Sequence, residues 1–207
     1  MPLDSLLSAF VTLLVVVDPI GLAPIFVALT HGLPQTARRR VGVRACLIAG
    51  AILAGAAMIG DLLLRRLGIT PAAFQIAGGL LLFTIAAEMV YGNRTEHQSK
   101  TAEQAIEEHV RYVAAFPLAI PLMAGPGAIA ATVLLASASR APVALAALIG
   151  VVGAVCGITL AVFYFANQVA RFVGVTGNIV LARLLGIILA ALAVQYVIDG
   201  VRAVLPA

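Results

Sequence analysis

The sequence is poor in charge. Asp, Glu, Lys and Arg make up 11% of its 207 residues, against about a quarter in an ordinary soluble domain. That is too little to coat a water-facing surface. The longest polar stretch, Asn93 to Arg111, is too short to carry a soluble domain with its own core. Tryptophan is absent, and there are two cysteines and three histidines. Cys46 and Cys156 lie in apolar segments and read as small core residues. His31, His97 and His109 fall in expected loops. No His/Cys cluster has metal-ligand spacing, and no phosphate-binding loop, nucleophile elbow or zinc-protease motif is present. The expectation is therefore no metal, no cofactor and no enzymatic activity. The net charge of +4 comes without a basic stripe interleaved with aromatics, which argues against nucleic acid as a partner.

What the chain has in quantity is apolar sequence. Its residues are 62% hydrophobic, and mean hydropathy is +1.10. A membrane-spanning helix needs roughly 20 mostly apolar residues, and six segments qualify: Leu6–Thr30, Val43–Leu64, Pro71–Tyr91, Tyr112–Ser137, Val143–Gln168 and Ile179–Asp199. Met1 to Ser5 lacks the positive leader of a cleaved signal peptide and contains Asp4, so the first segment reads as an uncleaved span. Loops one, three and five hold Arg38, Arg39, Arg40, Arg44, Arg94, Lys100, Arg111 and Arg171, and the opposite side holds Arg65, Arg66, Arg140 and Arg202. The positive-inside rule then puts the first set in the cytoplasm and both termini outside, in the periplasm of a bacterial inner membrane. Arg65 and Arg66 oppose that assignment.

The two halves of the chain resemble each other. The stretch from Gly60 to Thr70 aligns with Ala166 to Thr176, matching Asp61 with Asn167, Arg65 with Arg171, Gly68 with Gly174 and Thr70 with Thr176. One residue of slip later, Gly79 matches Gly186, Ala86 matches Ala193 and Glu88 matches Gln195; with that offset Pro19 also matches Pro126. Three spans per half make the second half inverted relative to the first, an arrangement typical of secondary transporters. The expected fold is all-α: one integral membrane domain over 1–207, with repeat one at 1–92, a cytoplasmic loop at 93–111 and repeat two at 112–207.

The first span of each half is interrupted at matching places. One holds Asp18-Pro19-Ile20-Gly21-Leu22-Ala23-Pro24; the other holds Pro117, Pro121 and then Gly125-Pro126-Gly127. Proline removes a helix hydrogen bond and clashes with the preceding turn. In lipid, the freed backbone groups survive only where protein or water satisfies them. Interrupted helices in corresponding positions of two halves point to a transporter's binding site. With both termini outside, two half-helix N-termini converge near the midplane, where their dipoles and free N–H groups favour a carboxylate. Asp18, Pro19, Gly21, Pro24, Gly125, Pro126 and Gly127 are the expected substrate-binding residues. Asp18 reads either as an N-cap ahead of Pro19 or as a ligand for a substrate ammonium, a proton or Na⁺. Glu88 and Gln195 read either as interfacial polar residues or as a gate or coupling site. Gly50, Ala51, Ala54 to Ala57, Gly78, Gly79, Gly150, Gly153, Ala154 and Gly157 suggest close helix packing.

The run from Asp18 to Phe26, ending in Leu29-Thr30, resembles the first-span signature of the MarC family of integral membrane proteins. The run from Pro117 to Ile129 resembles its fourth-span signature, and Ala193-Val194-Gln195-Tyr196 with Gly200 its C-terminal one. The resemblance covers essentially the whole chain. It implies a bacterial or archaeal inner-membrane protein similar to the small neutral amino acid transporter group. The function expected on these grounds is ion- or proton-coupled transport of glycine- or alanine-like amino acids. The alternatives are an exporter or channel for another small metabolite, or a non-transporting membrane factor. An oligomer is compatible with either.

Overall fold

The computed structural model describes residues 3–92, 118–137 and 141–205. The expected cytoplasmic loop at 93–111, with His97 and His109, lies outside them, as do Pro117 and Arg140. The described chain is helical: α1 (Leu3–Val17), α2 (Pro19–Leu29), α3 (Gln35–Arg66), α4 (Pro71–Tyr91), a π-helical turn (Leu118–Met123), α5 (Pro126–Ser137), α6 (Pro142–Tyr164) and α7 (Ala166–Val204). Five stretches are long and apolar enough to cross a membrane: Asp4–Leu29, Gln35–Arg66, Pro71–Tyr91, Pro142–Tyr164 and Thr176–Val204. The expected fourth span differs. Its described part is the turn and the 12-residue α5, and 12 residues rise only about 18 Å, well short of a bilayer core.

Local chemistry sets the ends of these helices. Alpha-3 closes with Ile69 N–H on the Leu64 carbonyl (2.9 Å) and Gly68 N–H on the Arg65 carbonyl (3.1 Å), while Gly68 takes φ +71. This is the glycine-terminated closure that satisfies the last carbonyls of a helix. Two residues on, Thr70 caps α4 by accepting from Ala73 N–H (3.2 Å), and Pro71 takes the first helical position. Gly174, which aligns with Gly68 in sequence, also has positive φ, +63. It breaks α7 into a short leading helix and the span beginning at Thr176.

The core is built from α1, α2, the turn and α5, which the longer helices surround. Cys46 and Cys156 are both buried. The buried hydroxyls of Thr30, Thr132 and Thr159 each donate to the carbonyl four residues back, at 2.6, 2.7 and 2.8 Å, so these three enter the apolar core already satisfied.

Alpha-4 and α7 run antiparallel in close contact, and glycine makes the approach. A β-carbon on Gly79 would stand 2.7 Å from the Ala193 carbonyl oxygen. One on Gly186 would stand 2.9 Å from Met89 Cβ and 3.0 Å from the Ala86 carbonyl, and one on Gly200 would stand 2.8 Å from Ile76. Elsewhere the density of small residues has a different meaning. Substituents on Gly55, Gly150, Gly153 and Gly157 would meet nothing within 4 Å. Among the described residues the α6 glycines therefore do not pack helices together, contrary to expectation, because they face outward.

Candidate functional site

The first break is one residue wide. Asp18 N–H still donates to the Leu14 carbonyl (3.0 Å), which ends α1 in regular geometry. Asp18 then turns left-handed, φ 53 and ψ 65, a region that Asp tolerates because its short side chain can bond locally. Its Oδ1 accepts from Gly21 N–H (3.1 Å), and its carbonyl accepts from Leu22 N–H (3.1 Å). Pro19, which has no N–H to satisfy, starts α2. Gly21 packs directly on the Asp18 carboxylate, with no room for a β-carbon. The carboxylate is 6% exposed and sits at the positive end of an 11-residue helix.

The second break is wider. Ile120 is extended (φ −134, ψ 120), the Ile120–Pro121 peptide is cis, and Ala124 N–H reaches back to the Ala119 carbonyl (2.8 Å). Gly125 lies on the Pro121 carbonyl with no space for a side chain. Its own carbonyl accepts from Ile129 N–H (3.0 Å), and α5 begins at Pro126. Alpha-2 thus starts at a carboxylate and α5 starts at a bare backbone.

The start of α5 lies beside the last turn of α1 and the middle of α4. Gly127, in the first turn of α5, is buried against Ile85 of α4 and, for an added β-carbon, 3.6 Å from Val16, two residues before Asp18. Asp18, Pro19, Gly21, Gly125 and Gly127 are all buried. Two expected members of the site are not: Pro24 and Pro126 are exposed. Pro24 sits inside α2 without ending it, so the interruption belongs to Asp18 rather than to the whole Asp18–Pro24 stretch. Glu88 is half-buried one turn beyond Ile85, whereas Gln195 is exposed and donates to Asp199 Oδ1 (2.7 Å). The matched pair thus has unlike surroundings. Tyr196, from the C-terminal motif, packs against the core near Ser8 and Thr12 of α1.

The sequence profile for "MarC family integral membrane protein" matches residues 3–205. The chain belongs to the MarC family. It is 35% identical to a UPF0056 membrane protein of Archaeoglobus fulgidus, over 96% of this chain and 92% of the relative. It is 32% identical to the UPF0056 membrane protein YhcE of Escherichia coli, over 95% and 92%, and 31% identical to the UPF0056 membrane protein YvbG of Bacillus subtilis, over 100% and 98%. No solved structure matches. The three motifs quoted above thus sit in a multi-pass membrane protein of this family, two of them at the helix breaks and the third against α1.

This MarC-family protein also has a cavity of about 110 Å³ at the far end of α2, lined by Phe26, Gln35, Arg38, Arg39, Gly42, Leu160, Phe163, Tyr164, Asn167 and Gln168. The Phe26 and Phe163 rings stack with centroids 4.4 Å apart. The Arg38 guanidinium lies 5.7 Å from the Phe26 ring centroid and that of Arg39 lies 5.4 Å from Tyr164. Arg38 Nη2 donates to Asn167 Oδ1 at 3.4 Å. Sequence reading assigned these arginines only an orienting role. Tyr164 and Asn167 come from the other half of the chain, and no local spacing announces them.

Proposed function

We propose that this MarC-family protein is a secondary transporter that moves small neutral amino acids across the bacterial inner membrane, coupled to H⁺ or Na⁺. The observation that supports the reading is the placement of the start of α5 beside the end of α1, which leads into the break at Asp18. Gly127 at the start of α5 packs close to Val16, and the buried carboxylate of Asp18 stands at the start of α2. A zwitterion needs both signs of partner. The N–H groups at the head of α5 suit its carboxylate, and Asp18 suits its ammonium or the coupling cation.

Six spans arranged as two inverted repeats fit this reading, with both termini periplasmic. Several contacts support the repeat. Gly79 meets Ala193 while Gly186 meets Ala86, and in the sequence register Gly79 is the equivalent of Gly186 and Ala86 of Ala193. The contact is therefore the same contact made twice. Gly50 lies on Cys156, and these two are equivalents in the register that aligns Gly60 with Ala166, as expected where a two-fold axis passes. Gly68 and Gly174 share a positive φ.

The test is uptake of labelled glycine and alanine into proteoliposomes under imposed pH and Na⁺ gradients. Gradient-dependent accumulation is expected. Equal, gradient-independent equilibration of unrelated small solutes would make the protein a channel, and no flux of any solute would end the transport reading.

A further inference from the structure

The cavity at the end of α2 is built for an anion. Its polar lining consists of two guanidiniums, the amides of Gln35, Asn167 and Gln168, and the Tyr164 ring; no Asp or Glu among the described residues contributes to it. The only ion pair among the described residues is Arg65 with Asp61, so neither Arg38 nor Arg39 is neutralised by a described carboxylate. Each guanidinium is held over an aromatic ring, an arrangement that orients the cation and leaves N–H donors beyond the Arg38–Asn167 bond. Asn167 accepts from Arg38, which turns its amide NH₂ outward as a further donor.

Exposed aromatics flank the cavity. Tyr164 is 46% exposed, Phe165 60% and Phe172 93%, an aromatic edge of the sort that sits at the membrane–water boundary. Basic pockets between helices at that level take phosphate head groups. Two forked donors exceed what a single carboxylate can satisfy, whereas phosphate oxygens can span both.

We propose that the Arg38–Arg39 cavity binds a phosphate group, carried by an anionic phospholipid or free in solution. The proposal is independent of the transport reading. Its test is thermal stability of the purified full chain in neutral detergent, titrated in separate arms with phosphatidylglycerol, inorganic phosphate, diacylglycerol and acetate. A saturable rise in Tm with phosphatidylglycerol alone identifies a lipid site, and one with inorganic phosphate as well identifies a site for the phosphate itself. R39Q, at an exposed position, is expected to fold and to raise the apparent Kd at least tenfold. R38K keeps the charge but loses the planar fork, and is expected to weaken binding. R40Q, outside the cavity, should match the unaltered protein. No saturable shift with either phosphate source, an equal shift with diacylglycerol or acetate, or full binding by R39Q would each overturn the proposal.

Discussion

Asp18 is at once a cap, a left-handed residue and a buried carboxylate, and these roles separate by substitution. Asn caps as well as Asp and tolerates the same backbone region. Asp18→Asn is therefore expected to keep the thermal stability of the protein and to abolish transport. Asp18→Ala is expected to cost about 0.5–2 kcal/mol through the lost cap, with a further penalty for Ala at positive φ. Stability in detergent and uptake in proteoliposomes, measured side by side, check the pair; normal uptake by Asp18→Asn would reduce Asp18 to a cap. Gly21→Ala pushes a methyl into the Asp18 carboxylate and should lose both stability and transport, since the cap and the carboxylate are displaced together. The position of the break was legible because Pro19 and Pro24 flag it. Its width was not. Pro24 disturbs only one carbonyl, that of Ile20, and α2 continues past it, while the left-handed turn at Asp18 is a backbone state that no composition reveals.

At the level of helices, the α4–α7 seam and the α6 glycines make opposite predictions. Gly79→Ala and Gly186→Ala each drive a β-carbon to within about 3 Å of facing backbone or Cβ atoms, and overpacking of this kind typically costs about 1–3 kcal/mol. Gly153→Ala and Gly157→Ala meet nothing; each is expected to leave monomer stability unchanged or raise it by up to about 1 kcal/mol, the helix-propensity gain over Gly. Thermal unfolding of the four variants separates them, and a destabilised Gly157→Ala would mean that another chain covers that face. A list of small residues reads the same for both sets of glycines. Only the tertiary placement distinguishes a glycine that admits a neighbour from one that faces outward. The helix ends fared better: Thr70-Pro71 and Gly68 follow capping rules that act within a few residues, and α4 begins and ends where the sequence places it.

For the whole molecule, the membrane class follows from composition alone, and orientation rests on arginines. Cysteine labelling in intact cells is expected to leave position 36 unreactive from the periplasm; reaction there would invert the assignment. The cavity was invisible at this scale for a physical reason. Arg38 and Arg39 were read as topological charges, and the Phe163, Tyr164, Asn167 and Gln168 side chains that complete their cavity lie more than 100 residues away. The reciprocal glycine seam has a consequence for how such a chain could arise. Residues 1–92 contain Gly79 and also Ala86, the equivalent of Ala193, so one half carries both faces of the contact. Arg38 to Arg40 head α3 and Arg65 and Arg66 end it, which leaves that half with a weak bias for either direction of insertion. Produced on its own, the 1–92 fragment is expected to insert both ways and to assemble as an antiparallel pair of identical copies, the state from which duplication and fusion of a gene would yield the present chain. A fragment that stays monomeric in detergent, or that inserts one way only, would rule out that origin.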